Sequence, residues 1–430
     1  MPRPTRRDFS QTVLGLSAGA TVLTSLTGTA VAQADKIRVA VMGVRGRGSR
    51  LLSVFAAQKD VEITHVIDIQ ESVLAAKLKT VADITGKTPV GVRDYRKVLE
   101  DKSVEALVIG TPDHWHALPT IHACQAGKDV YVEKPDGHNI NEGKAMVAAA
   151  RKYDRMVQMG TQARSSPYLH EAREYIKSGA IGKVIFGRAW ETDKQRAIPR
   201  VADGTPPADI DYDMWLGPAP LRPFNSSRFH GNWRWFFDYG CGDLGNDGVH
   251  RMDYCRWMMG IDTLPQTVSS EGGKFFFDDA QEWPDTQMVS FGWPGKMLVY
   301  EMRIWSGPKL FNVTEGAAIH GDSGWVLCTN SNWTAFDSAG KVVKQGGDNT
   351  AEVTHIRNFL EAVRNRKRTH LNQEIEQGHV SSVMCHAGNI AWRVGKRLTL
   401  DAKTETFHDV DADKLVGRTY RKGYELPDPV

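Results

Sequence analysis

Lys36-Ile37-Arg38-Val39-Ala40-Val41-Met42 runs straight into Gly43-Val44-Arg45-Gly46-Arg47-Gly48, and apolar residues at helical spacing follow from Ser49 to Gln58. The first seven residues are short, apolar and β-branched, the pattern of a buried strand. A strand, a glycine turn and a helix in that order are what a dinucleotide fingerprint requires. The turn must be tight, its backbone must approach a pyrophosphate, and the helix N-terminus then faces the phosphate charge. Gly43, Gly46 and Gly48 are the candidate cofactor glycines. The usual spacing puts a glycine at position 45, where this chain has Arg45. Either Gly46 takes over through a local backbone shift, or Arg45 itself pairs with phosphate.

A second strand, Val61–Ile67, ends in Asp68, 20 residues after Gly48. An acidic side chain there binds the adenosine ribose hydroxyls and disfavours a 2′-phosphate, so NAD is expected ahead of NADP. Ala106–Gly110 is a third apolar strand, ending in Thr111-Pro112-Asp113-His114-Trp115-His116, a loop expected at the carboxyl edge of the sheet where ligands bind. His114, His116 and His122 suggest a metal, but no Cys or carboxylate completes a ligand set, so none is expected. Helix 117–127 leads to strand Asp129–Val132 and then Glu133-Lys134-Pro135. A lysine in that turn can share a proton with a substrate hydroxyl. The alternative for Lys134 is a surface ion pair with Glu133.

Upstream of this region, Thr5-Arg6-Arg7-Asp8-Phe9 is a twin-arginine pattern. It is followed by a stretch of small and aliphatic residues and by Ala32-Gln33-Ala34, an A-x-A cleavage site. Residues 1–34 therefore read as an export signal and the mature protein as periplasmic or secreted. The stretch is too rich in Thr, Ser and Gly for a stable membrane span. The net charge of +3 is too small to imply a nucleic-acid partner. The basic run Arg364–Arg368 reads as a solvated helix end. Five widely spaced cysteines, none in a C-x-x-C pair, exclude a disulfide scaffold and read as small buried hydrophobes.

Past the first domain, Thr161–Pro167 reads as a crossover, Tyr168–Lys177 as a helix and Gly182–Trp190 as a strand. Met288–Gly292 and Met297–Ile304 alternate as antiparallel strands do, with turn signals between them. Residues 193–236 are rich in Pro, Trp and Arg with little periodicity, and loops of that length are usually functional. They read as a rim over a ligand site; a subunit contact or plain surface insertion is the alternative. His355–Arg364 and Ile375–Val394 read as amphipathic helices.

With Thr111-Pro112, His116, Glu133-Lys134-Pro135 and the segment Gly240-Cys241-Gly242-Asp243-Leu244-Gly245-Asn246-Asp247-Gly248-Val249-His250-Arg251-Met252-Asp253, the chain resembles the glucose–fructose oxidoreductase, inositol dehydrogenase and rhizopine-catabolism (Gfo/Idh/MocA) family, from about residue 36 to about residue 400. The resemblance is to the exported, Trp-rich branch. It implies an α/β N-terminal Rossmann domain with a doubly wound parallel sheet, and an α+β C-terminal domain with a large, open, mostly antiparallel sheet. The expected boundaries are 1–34 signal, 35–160 NAD-binding domain, 161–400 substrate and oligomerisation domain, and 401–430 tail. It implies that Lys134 and His250 flank substrate and nicotinamide as the catalytic pair, and that Thr111, Pro112, His116 and Glu133 join the cofactor site. A homo-oligomer, dimer or tetramer, is expected with it. Plain dehydrogenases of the family carry Asp four residues before the histidine. Here that position is Asn246, which cannot act as a base but can hold a hydroxyl. Arg164, Trp233, Arg234 and Asp238 complete the candidate substrate contacts.

These residues support an NAD-dependent oxidoreductase acting by hydride transfer at a secondary carbinol of a sugar, cyclitol or related polyol. A glycoside-cleaving enzyme that works by transient oxidation and elimination shares the same lysine and histidine. A cofactor-loaded, non-catalytic sugar-binding protein is the third reading.

Overall fold

The first strand of the computed structural model, β1 (Ile37–Met42), is buried at every position but Arg38, as its β-branched run predicts. The structure describes residues 36–427 apart from residue 349. The export signal read at residues 1–34 lies outside the described residues. After β1 come α1 (Gly46–Ala56), β2 (Val61–Ile67), α2 (Glu71–Thr85), β3 (Val90–Val92), α3 (Arg96–Leu99), β4 (Ala106–Ile109), α4 (Ala117–Gln125), β5 (Asp129–Val132), α5 (Ile140–Lys152) and β6 (Val157–Met159). The six strands pair in parallel in the order β3-β2-β1-β4-β5-β6. The order reverses between β1 and β4, so their carboxyl ends open a crevice there.

The chain continues with α6 (Pro167–Lys177), β7 (Val184–Glu191), α7 (Tyr212–Leu216), α8 (Val249–Met258), β8 (Thr267–Gly273), β9 (Thr286–Trp293), β10 (Lys296–Arg303), β11 (Glu315–Gly321), β12 (Gly324–Cys328), β13 (Asn332–Asp337), β14 (Val342–Gly347), α9 (Ala351–Asn365), α10 (Ile375–Val394) and β15 (Leu398–Thr399). The second sheet has nine strands in the order β14-β13-β12-β11-β7-β10-β9-β8-β15. It is antiparallel as expected, except that β7 and β10 run parallel at its centre. The β9–β10 hairpin pairs Trp293 with Lys296 across Pro294-Gly295, and Gly295 has φ +72°, which glycine adopts without strain.

One face of the parallel sheet is closed by α9, whose Ile356, Phe359 and Leu360 share a core with Val39, Val41, Phe55 and Tyr131. The inner face of the second sheet packs on α8 and α10: Met252, Cys255, Val383 and Ala387 meet Val289, Phe291, Leu298 and Tyr300. The residues from 36 onward thus form one compact unit. All five cysteines are free and buried, as their spacing predicts. Among the described residues no helix is long and apolar enough to cross a membrane.

Candidate active site

Three glycines let the backbone close tightly where β1 meets α1. A Cβ on Gly43, which has φ +74°, would lie 2.7 Å from the Thr111 methyl, and one on Gly48 would lie 1.7 Å from the Gly43 carbonyl oxygen. Gly110 would clash with Gly48 in turn, at 2.7 Å. The crowded position is therefore 48 rather than 45. Arg45 precedes the first turn of α1 in extended backbone, with Gly46 at φ +38°. The Arg45 guanidinium donates to Gln70 Oε1 at 2.7 Å. The first N–H groups of α1 carry no side-chain cap, so they are free for an anion.

Asp68 stands buried at the tip of β2. Its Oδ2 accepts from the Val44 N–H and its Oδ1 from the Gln70 N–H, each at 3.0 Å. Burial pushes its carboxyl above the usual range, while those N–H groups act the other way. This cradle fits a dinucleotide: crowded glycines beside free N–H groups for the pyrophosphate, and a carboxylate at the ribose end.

The cradle opens into a cavity of about 610 Å³. Gly43, Arg45, Gly46, Asp68, Thr111, Pro112, Glu133, Lys134, Trp233, Arg234, Asn246 and His250 all line it. Lys134 follows β5, and its Nζ donates to the Asn246 carbonyl oxygen at 2.5 Å and to Asn246 Oδ1 at 3.0 Å. Its partner is thus Asn246 and not Glu133, whose carboxylate accepts from Arg47 Nε at 2.7 Å and from Gln162. Arg47 also reaches Glu352 at the start of α9, so the glycine turn is tied to the C-terminal helix.

Asn246 belongs to a π-helical turn, Leu244–Gly248, that leads into α8. Such turns are frequent at functional sites. Gly248 permits it, because a Cβ there would lie 2.8 Å from the Tyr300 ring on β10. The turn also aims Asp247 into the cavity, where it accepts from Asn246 Nδ2 at 2.8 Å. Lys134, Asn246 and Asp247 are therefore one hydrogen-bonded chain. His250, one turn on, faces the cavity, and among the described residues its ring makes no hydrogen bond. Burial holds its pKa well below the ordinary 6.5, and the Lys134 charge adds to this. Its imidazole is neutral at physiological pH. Asp243 sits behind the turn with neither carboxylate oxygen hydrogen-bonded. Burial pushes its pKa well above the usual carboxylate range, reinforced by Asp247.

Three sequence-predicted residues lie elsewhere. His116 is buried between the Pro135 and Thr111 carbonyl oxygens, at 2.6 and 2.9 Å, and braces the loop from behind rather than lining the cavity. Arg164 does not reach substrate space, because its guanidinium makes two hydrogen bonds to Asp253, at 2.8 and 2.9 Å, in the core between α8 and α10. Asp238 pairs with Arg222 at 2.6 Å, outside the cavity lining. His114 and His122 are likewise committed, to the Trp215 carbonyl and the Tyr95 hydroxyl, so the three histidines share no centre. Among the described residues no group of three or more potential ligands could hold a metal ion.

Sequence reading passed over Asp247, Trp115, Trp215 and His230 as wall residues. Trp115 follows Thr111-Pro112 by three residues, and Trp215 and His230 lie in the long Trp-rich stretch, which thereby forms one wall of the site. The signal was local for these. For Asp247 it was the doubled acid-amide pair beside the histidine.

Residues 37–161 match the family description "Oxidoreductase family, NAD-binding Rossmann fold", and residues 189–426 match "Oxidoreductase family, C-terminal alpha/beta domain". A glycosyl hydrolase family 109 protein of Saccharopolyspora erythraea is 29% identical over 168 residues, which is 38% of this chain and 36% of that protein. The scyllo-inositol 2-dehydrogenase (NAD(+)) of Bacillus subtilis is 30% identical over 156 residues, 34% of this chain and 43% of that one. The aligned part is thus well under half of these relatives' length. Among solved structures, a levoglucosan dehydrogenase in complex with NADH and levoglucosan superposes with a TM-score of 0.67 at 16% identity, over 85% of this chain and 99% of that one, a likeness of fold. With both halves of the chain matched and the cradle in place, the protein belongs to the Gfo/Idh/MocA oxidoreductase family, with NAD as the cofactor of its Rossmann fold.

Proposed function

We propose that the enzyme transfers a hydride between NAD and a secondary carbinol of a sugar, cyclitol or related polyol. The observation that carries this is the meeting of Lys134, Asn246, Asp247 and His250 in the cavity that also contains the glycine cradle and Asp68. NAD, when bound, supplies the hydride acceptor or donor. The neutral His250 takes the hydroxyl proton as the carbonyl forms. The Lys134 ammonium stabilises the developing alkoxide, the place where preorganised charge contributes most. Asn246 fixes Lys134 through its carbonyl and Oδ1 and orients Asp247 through its amide, so the pair presents a donor and acceptors to sugar hydroxyls. Trp233 offers a flat apolar face for a sugar ring. The test is mass spectrometry of products after incubating the purified protein with a library of polyols, sugars and glycosides, with and without added NAD. An oxidised carbinol supports the reading; no product with any member contradicts it and leaves a non-catalytic sugar-binding role.

A second reading is redox-neutral glycoside cleavage by transient oxidation and elimination. It is favoured by Asn246 in place of a carboxylate and by the partial likeness to the family 109 glycosyl hydrolase. In the same experiment, aglycone release without net cofactor reduction selects it.

The reading includes export, because Arg6-Arg7 and Ala32-Gln33-Ala34 form a twin-arginine leader. That route carries folded proteins, so NAD can travel already bound. Replacing both arginines with lysine should leave uncleaved precursor in the cytoplasm; normal export of that variant contradicts the route. It also includes a homo-oligomer, dimer or tetramer, which light scattering tests directly.

A further inference from the structure

Among the described residues Arg234 is a cation with no ion pair. It lines the cavity next to Trp233, with its guanidinium carbon 5.2 Å from the centre of the Trp233 ring. Among the described residues its side chain donates no hydrogen bond, and its Nε is fully buried without a partner. The other cavity cations are committed: Arg47 to Glu133 and Glu352, Arg93 to Glu71, Arg45 to Gln70, and Lys134 to Asn246. Leaving a guanidinium N–H unpaired in a buried place is costly, and Arg234 combines that with a place on the cavity wall and no ion pair among the described residues.

The position is built rather than incidental. Trp233–Trp235 form a short turn against which Gly240 lies so closely that a Cβ there would be 2.4 Å from the Arg234 Cα. The Trp233 ring lies within cation–π reach of the guanidinium and so holds it at the cavity wall. The acids nearest in charge interaction, Asp113 and Asp243, are both buried, and burial pushes both carboxyls up, towards their neutral forms. Towards the carbinol end, the Asp247 carboxylate is linked through Asn246 to Lys134, so that end is already balanced. A guanidinium is a planar fork of N–H donors, and that fork matches the two oxygens of a carboxylate.

We propose that the sugar this enzyme acts on carries a carboxylate, as a uronic acid does, and that Arg234 binds that carboxylate while Lys134 and His250 meet the carbinol. This rests on the sugar-oxidoreductase reading above and adds the charge of the substrate to it.

The experiment is calorimetric titration of the purified full chain, saturated with NAD, with D-glucuronate and D-galacturonate against D-glucose, D-galactose and D-glucose 6-phosphate. The uronates should bind about tenfold or more tightly than their parent hexoses, as expected for one charge-assisted bidentate contact. Added salt should narrow the gap. Arg234→Gln should bring the ratio to about one, whereas Arg234→Lys should keep part of it. Equal binding of acids and hexoses by the unaltered protein overturns this inference and leaves the sugar reading standing. Tighter binding of the sugar phosphate overturns the carboxylate assignment. An Arg234→Gln variant that keeps the uronate preference but binds NAD more weakly makes Arg234 a cofactor contact. Absence of binding by every sugar overturns both this inference and the reading beneath it.

Discussion

Lys134 Nζ and Asn246 are joined twice, to the backbone carbonyl oxygen at 2.5 Å and to the side-chain Oδ1 at 3.0 Å. The lysine comes from the end of the parallel sheet and the asparagine from the π turn beneath the second sheet. This contact therefore fixes the two halves of the site against each other. His250 lies in the same cavity, and among the described residues its ring makes no hydrogen bond.

Loss of either catalytic candidate should act on turnover and not on folding. Lys134→Ala and His250→Ala should each lower kcat by roughly 10²–10⁴-fold, the range for a positioned acid–base group. NAD retention and melting temperature should change little. Full turnover in either variant removes that residue from the mechanism, and lost folding makes His250 structural.

The pH profile follows from burial. Because the His250 pKa lies well below 6.5, the base is already deprotonated at neutral pH. The acid limb of kcat in carbinol oxidation should therefore fall well below pH 6.5, and it should vanish in His250→Ala. A limb at or above 6.5 that survives in that variant would assign it to another group.

Asp68 should govern cofactor choice. Calorimetry should give tighter binding of NAD than of NADP, and Asp68→Ala should narrow the gap by roughly tenfold, the scale of a hydrogen bond to a charged group. Preference for NADP in the unaltered protein contradicts the role assigned to this carboxylate.

Arg164 should matter for stability alone. Its pair with Asp253 has side chains only 4% and 0% exposed. Removing one partner leaves a buried charge, at a cost of about 3–5 kcal/mol. Arg164→Leu should lower the denaturation midpoint strongly, while any surviving folded fraction keeps its KM. A raised KM with unchanged stability would return Arg164 to the substrate site.

A buried histidine behind the Lys134 turn should make stability depend on pH. His379 is set between Asp136 at 2.9 Å and Glu405 at 3.0 Å. Burial works against its charged form, but the Asp136 charge and the two hydrogen bonds outweigh this and raise it to about 9. Its stabilising contribution is fully present below about 6.5 and is lost as pH rises through about 9. The gap in melting temperature between the natural chain and His379→Gln should shrink over that window. A gap that is constant with pH contradicts the charged pair.

The nucleotide half was legible because its signals are local. Strand, glycine turn and Asp68 stand in sequence order, and burial of both sheet faces writes itself as mostly apolar runs in β1, β4 and β5, interrupted by Arg38 in β1 and Asp129 in β5. The same holds for the α10 boundaries, Ile375–Val394. Arg164 and Asp238 were misread because their partners are unmarked in sequence. Asp253 lies 89 residues beyond Arg164, and nothing local tells a buried guanidinium from one that binds substrate. Asp247 was visible beside Asn246, but its direction depends on a π turn that only the fit of Gly248 against Tyr300 specifies.

The proposed reaction is hydride transfer between a sugar carbinol and NAD at the Lys134–His250 site. The most direct measurement is deuterium transfer. The purified protein, loaded with NAD, is mixed with sugars and polyols deuterated at their carbinol carbons, and the cofactor is recovered for mass spectrometry under single-turnover conditions. One deuterium in the reduced cofactor, lost in His250→Ala while NAD remains bound, is the predicted result. A cofactor that stays oxidised and unlabelled with every carbinol offered, in a protein that binds both NAD and sugar, would contradict it.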